Sequence, residues 1–94
     1  MERKKLTTEE IESRLTKMDG WMAEDGKLKK SYKFENFAGS LAFVNKAGAI
    51  AERHDHHPDI TFGWGYADFV ITTHSEGGIT EKDFALAGGI DAIV

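Results

Sequence analysis

Three of the four histidines in this chain fall inside one nine-residue stretch, ERHDHHPDI, at His54, His56 and His57, and the only proline, Pro58, follows them directly. The fourth, His74, closes the run YADFVITTH. An unperturbed imidazole titrates near pH 6.5, so at neutral pH it gives and takes protons at little cost. Two or three imidazoles around one pocket can therefore move one proton on and another off without a nucleophile. The chain has no cysteine and no GxSxG elbow, which fits chemistry of that kind. Two other readings stand beside it. Glu52, Asp55 and Asp59 could join the histidines around a divalent metal. Against this, adjacent residues of an extended segment point in opposite directions, and no HExxH spacing is present. The cluster could also be no more than a polar surface loop.

The elements that position these residues can be read from periodicity. Thr7 and Glu10 make a capping-box pattern for a helix over 7–18, with Ile11, Leu15 and Met18 as its apolar stripe and Gly20 ending it. WMAEDGKLKKSYKF reads as a hairpin turning at Asp25-Gly26. Its second strand puts Leu28, Tyr32 and Phe34 on one face, with Lys30 the odd member, and Lys27, Lys29, Ser31 and Lys33 on the other. Asn36 caps a long helix over about 37–53, striped by Phe37, Leu41, Val44, Gly48 and Ala51. Its small residues Ala47, Gly48 and Ala51 would allow close approach to a sheet. Pro58 forbids its continuation. A strand over about 59–63 and a strand over 66–74 flank Gly63-Trp64-Gly65. In the second, Ala67, Phe69, Ile71 and Thr73 share a face. SEGG is a turn, and Thr80 caps a final helix with Leu86, Ala87, Ile90, Ile93 and Val94 as its stripe.

The order α-β-β-α-β-β-α predicts an α+β fold, one four-stranded antiparallel sheet with three helices on one face. Antiparallel pairing of the last two strands returns His74 to the neighbourhood of His56 and His57. The chain has 94 residues, enough for one domain over 1–94 with a flexible N-terminus over 1–6. With 40% hydrophobic and 30% charged residues the composition is globular rather than disordered. A formal net charge of -4 argues against nucleic acid or an anionic membrane as partner. No secretory signal or apolar span is evident, so a cytoplasmic location is expected.

Glu52-x-x-Asp55-His56-His57-Pro58, then Trp64, Thr72-Thr73-His74 and Asp83, resembles the pterin-4a-carbinolamine dehydratase family, known also as the dimerisation cofactor of a homeodomain transcription factor. The resemblance covers the chain from about residue 7 to its end. It implies a homodimer or homotetramer built partly by joining sheets edge to edge. It implies a lyase that removes water from a 4a-hydroxytetrahydropterin left by an aromatic amino-acid hydroxylase, giving the quinonoid dihydropterin. The pterin is then the substrate, and no cofactor or metal is implied.

On this pattern His56 and His74 would be the acid/base pair, and His57 would orient the ring system. Asp55, Pro58, Thr72, Thr73 and Ser75 would line the pterin site. Trp64 would stack on the ring or serve as a core or interface aromatic. Asp83 would cap the last helix or hold a histidine, and Glu52 would lie on the helix surface or orient one. His54 has no counterpart and reads as surface. Asp68 stands where some relatives carry a histidine or another polar residue, and the glycines around Trp64 are more numerous than expected. A non-catalytic dimerising partner on the same fold is the alternative function, and a histidine-metal protein a further one.

Overall fold

A computed structural model describes residues 4–94. The elements run α1 (Thr8–Leu15), β1 (Met22–Glu24), β2 (Lys27–Lys33), α2 (Phe37–His54), β3 (Asp59–Gly63), β4 (Tyr66–Ile71), a 3-10 turn (His74–Glu76) and α3 (Glu81–Asp91). The four strands form one sheet in the order β1-β2-β4-β3, every pair antiparallel. The α+β class and the element order are those expected from periodicity. Of the flexible stretch expected over 1–6, residues 1–3 lie outside the described residues. Leu6 donates its N–H to the Ile79 carbonyl at 2.8 Å and packs on the core. No helix among the described residues is long and apolar enough to cross a membrane.

One sheet face is covered by helices. Register pairs Leu28 with Ile71, Lys30 with Phe69 and Tyr32 with Ala67. Of these six, all but Lys30 are buried against Phe43, Ala47 and Ala51 of α2 and Leu86, Ala87 and Ile90 of α3. Burying a side chain such as Phe69, at 0% exposure, contributes about 1.5–3 kcal/mol. The opposite face carries Lys29, Ser31, Lys33 and Asp68, and Ser31 Oγ donates to Asp68 Oδ1 at 2.6 Å.

Lys30 is half-buried on the inner face because it has partners there. Its Nζ donates to the Asp19 carbonyl at 2.7 Å and to Asp91 Oδ1 at 2.8 Å, and sits 4.6 Å from the Tyr32 ring centroid. Asp91, at the end of α3, also accepts from Tyr32 Oη and, at 3.0 Å, from Trp21 Nε1. Burial, then the hydrogen bond to Asp91, pushes the Tyr32 phenol well above the ordinary tyrosine range. It therefore stays a donor at all physiological pH.

Several expectations about the elements are corrected. The first helix stops at Leu15, not 18, although its capping box with Thr7 and Glu10 is formed. Met18 still packs on the core, from the turn that follows. The buried stripe of α2 is Ser40, Phe43, Ala47 and Ala51, rotated from the expected one. Phe37 and Leu41 are exposed, and a side chain added at Gly48 would meet nothing within 4 Å. Only Ala47 and Ala51 of the small residues thus serve close packing. Finally β4 ends at Ile71, so Thr72 to His74 are not strand, and Val94 is exposed rather than part of an apolar stripe.

Asp91 carries three part-buried donors from two strand residues and the β1 approach. Asp91→Ala should lower unfolding stability by about 2–4 kcal/mol, because Trp21 and Tyr32 would lose their acceptor and Lys30 its counter-charge. Urea denaturation measures this, and a loss below about 1 kcal/mol would show that water replaces the carboxylate without cost.

Candidate active site

The histidine doublet is aimed by the way α2 ends. Asp55 adopts the left-handed region, φ 51° and ψ 42°. Its N–H bonds the Ala51 and Glu52 carbonyls, and the His56 N–H reaches back to the Ala51 carbonyl at 3.2 Å. This pair of reversed bonds is a Schellman closure, and aspartate is among the few non-glycine residues that tolerate its geometry. The chain then turns toward β3, kept extended by Pro58. The two imidazoles leave this turn in different directions. His56 is driven inward, its side chain 11% exposed, with Nε2 2.5 Å from Asp83 Oδ1. His57 points outward, 56% exposed, with Nε2 2.5 Å from Glu52 Oε2.

Asp83 is 0% exposed and its carboxylate is fully engaged. It sits at the third position of α3 and closes a capping box with Thr80. Oδ2 accepts from the Thr80 N–H at 2.7 Å and from Thr73 Oγ1 at 2.9 Å, while Oδ1 faces His56. Asp83 thus contacts the helix start and His56 at once. Facing an ionised carboxylate, which only accepts, His56 Nε2 would be the donor of this bond, with Nδ1 directed to other partners.

His74 arrives from the other side. Thr73 and Gly78 form a two-way backbone bridge, at 3.0 and 3.4 Å, around the turn that begins at His74. Gly77 at φ +72° lets that turn close. Thr72 Oγ1 donates to the Gly26 carbonyl at 2.8 Å, tying the start of this loop to the β1–β2 turn. The His74 imidazole is exposed and has no hydrogen-bonding partner among the described residues.

These segments enclose an open cleft of about 270 Å³. His56, His57 and His74 all line it. Asp55 and Thr72, Thr73 and Ser75 complete much of the wall. Glu52 and Asp83 stand behind His57 and His56. Pro58 is half-buried beside the doublet but does not line the cleft. Trp64 is not brought there. It lies 71% exposed in the β3–β4 turn, at the far end of the hairpin. At about 3.3 Å per residue that is roughly 15 Å along the strand, so within one chain it cannot stack on a ligand in this cleft. Its exposure also excludes a place in the core.

Larger hollows exist, the roomiest about 600 Å³ on the open sheet face around Met22, Ser31 and Val70, but none of the others gathers imidazoles. Among the described residues no group of three or more histidines and carboxylates is arranged to hold a metal ion.

One cleft residue escaped sequence reasoning. Lys82 lines the wall and its Nζ donates to the Asp55 carbonyl at 3.3 Å. Its neighbours Thr80 and Asp83 were legible as a helix cap. The approach of that cap to the end of α2 was not, because it depends on how two helices pack.

A four-stranded antiparallel sheet with helices on one face, and imidazoles from the end of α2 and from the 3-10 turn after β4 sharing a cleft, define the class of protein. The sequence profile of the pterin 4 alpha carbinolamine dehydratase family matches residues 4–93, and this chain belongs to that family. A Sulfolobus acidocaldarius protein provisionally named pterin-4-alpha-carbinolamine dehydratase is 48% identical over 95% of this chain and 98% of its own. One of the same provisional name from Rubrobacter xylanophilus is 42% identical over 94% of this chain and 83% of its own. Among solved structures, the transcriptional coactivator/pterin dehydratase of Brucella melitensis superposes with a TM-score of 0.90 at 35% identity, over 95% of this chain and 97% of that one. A pterin dehydratase-like protein described as a RuBisCO assembly factor in the alpha-carboxysome gives a TM-score of 0.66 at 28% identity, over 78% of this chain and 87% of that one.

Asp83→Asn tests the double duty of the buried carboxylate. An amide cannot accept from all three donors, so stability should fall by about 1–3 kcal/mol. Nitrogen-15 spectra should show His56 protonated on Nε2 in the wild type and a changed tautomer in the variant. An unchanged His56 spectrum would mean that the Asp83 contact does not set the tautomer.

Proposed function

We propose that this protein is a hydro-lyase that dehydrates a 4a-hydroxytetrahydropterin to the quinonoid dihydropterin by imidazole acid/base catalysis. The observation that carries this reading is the convergence of His56, His57 and His74 on one cleft in a chain of the pterin dehydratase family. Its role would be to regenerate the pterin cofactor of an aromatic amino-acid hydroxylase.

The chemistry asks for two proton movements. The 4a hydroxyl is a poor leaving group as hydroxide, so an imidazolium donates a proton and the C4a–O bond breaks to release water. A neutral imidazole removes the N5 hydrogen as the C4a=N5 double bond forms. Atoms balance, no electron is transferred, and the reaction needs no cofactor beyond the pterin itself. His56 and His74 act as this pair. His56 offers Nδ1, since Nε2 faces Asp83, and the exposed His74 ring has no hydrogen-bonding partner among the described residues to fix it. His57 orients the bicycle, steadied by Glu52. Asp55, Pro58, Thr72, Thr73 and Ser75 shape the walls for a flat substrate rich in donors and acceptors.

The functional unit is a homodimer or homotetramer. The exposed apolar residues Phe37, Leu41 and Trp64 support this, as do the two open sheet edges at β1 and β3. A second reading, a dimerising partner without catalysis, draws on the coactivator and assembly-factor names of the two solved structures.

Stopped-flow absorbance of the 4a-hydroxypterin separates the two readings. His56→Ala and His74→Ala should each slow dehydration by about a hundred- to ten-thousandfold relative to wild type. Wild-type protein that leaves the buffer rate unchanged would overturn the lyase reading. Sedimentation of the purified protein should give two or four copies, and a monomer at micromolar concentration would remove the oligomeric part.

A further inference from the structure

Lys82 is the one cationic side chain on the cleft wall apart from the histidines. It is half-buried at the second position of α3, in the first helical turn. That is an unfavourable place for a cation, because the exposed N–H groups of a helix start already carry partial positive charge. The carboxylates of that turn are engaged elsewhere, and Asp55 lines the same cleft without an ion pair to Lys82. Glu81 is paired with Arg14, Asp83 faces His56 and Glu52 faces His57. Among the described residues no carboxylate forms an ion pair with Lys82. The Asp55 carbonyl, at 3.3 Å, takes one of its three N–H bonds, which steers the ammonium toward the doublet and leaves two donors unused.

We propose that Lys82 binds the substrate, donating a charge-assisted hydrogen bond to the carbonyl oxygen of the pyrimidinone ring. This rests on the dehydratase reading and adds an orientation to it. The pterin carbonyl is attached directly to C4a, the carbon that loses its hydroxyl. Imidazoles acting at C4a–O and N5 therefore leave that oxygen two bonds from C4a, open to a further donor on the cleft wall. The remaining cleft groups offer hydroxyls, backbone groups and a carboxylate, of which none is cationic. Held by the Asp55 carbonyl, the ammonium fixes which edge of the bicycle enters beside the doublet. It contributes equally before and during reaction, so it governs binding more than the chemical step.

The test compares wild type with Lys82→Met and Lys82→Arg, each checked for an unchanged melting temperature. Turnover of the 4a-hydroxytetrahydropterin gives KM and kcat, and fluorescence titration with 7,8-dihydropterin gives Kd. Lys82→Met should raise KM and Kd about tenfold or more while kcat stays within about threefold. Lys82→Arg should remain within about threefold of wild type, since it keeps charge and donors. A Lys82→Met variant that binds as tightly as wild type overturns the assignment. So does a Lys82→Arg variant as impaired as Lys82→Met with the loss in kcat, which would mark a purely geometric role. If wild type binds dihydropterin but does not dehydrate, the lyase reading fails and the Kd ratio alone decides Lys82. If wild type does not bind it, both fail.

Discussion

The site hangs on one buried carboxylate. Asp83 has no exposed surface, and an ionised group taken out of water costs several kcal/mol unless every lone pair finds a donor. Here the donors come from three separate places. Thr80 belongs to the helix start, Thr73 to the segment after β4, and His56 to the turn after α2. Among the described residues no buried side-chain nitrogen or oxygen is left without a partner. The requirement to satisfy Asp83 therefore brings the two histidine-bearing segments to the same helix end. Thr73 is bonded to Asp83 and carries His74 as its next residue, so the carboxylate fixes both walls of the cleft at once.

The two imidazoles of the doublet are consequently unequal. The His56–Asp83 pair is nearly dry, and removing one partner of such a pair typically costs about 3–5 kcal/mol. His57 and Glu52 are 56% and 77% exposed, in the range where an ion pair contributes about 0–1 kcal/mol. The His56 ring is held by a buried partner, and the His57 ring rests against an exposed one.

Much of this was legible along the chain. Both capping boxes, the Asp25-Gly26 turn, the Asn36 cap and the alternation through β2 and β4 are local patterns, and local patterns survive folding. What failed is what depends on a second element. Helix α2 carries two stripes of helical spacing, the expected one through Phe37, Leu41, Val44, Gly48 and Ala51 and the buried one through Ser40, Phe43, Ala47 and Ala51, which share only Ala51. Periodicity cannot choose between them. The sheet chooses, because Phe43 meets Tyr32 at 4.5 Å and Phe69 at 5.8 Å between ring centroids. The early end of β4 has a similar cause. Thr73 pairs with Gly78 rather than with a neighbouring strand, so alternation in the sequence outlasts the ladder. Antiparallel pairing gave the meeting of His74 with the doublet. The same pairing places Trp64 at the opposite end of the hairpin, a consequence that the motif pattern alone concealed.

Helix α3 shows how remote packing reaches the cleft. Its two buried or part-buried carboxylates lie at its two ends, Asp83 in the first turn and Asp91 in the last. Asp91 gathers Lys30, Tyr32 and Trp21 from the β1–β2 side of the sheet. Asp83 gathers Thr73 and His56 from the β4 and α2 side. Between them Leu86, Ala87 and Ile90 bury against the core but specify rotation and axial position less tightly than directional bonds do. The polar ends therefore set the axial register of α3, and the apolar middle supplies the burial that holds it down. An axial shift of α3 by one residue, about 1.5 Å, would take Asp83 out of hydrogen-bonding reach of His56 and carry Lys82 away from the end of α2. Anchoring at Asp91, on the far side of the core, is thus part of what keeps the imidazole site assembled.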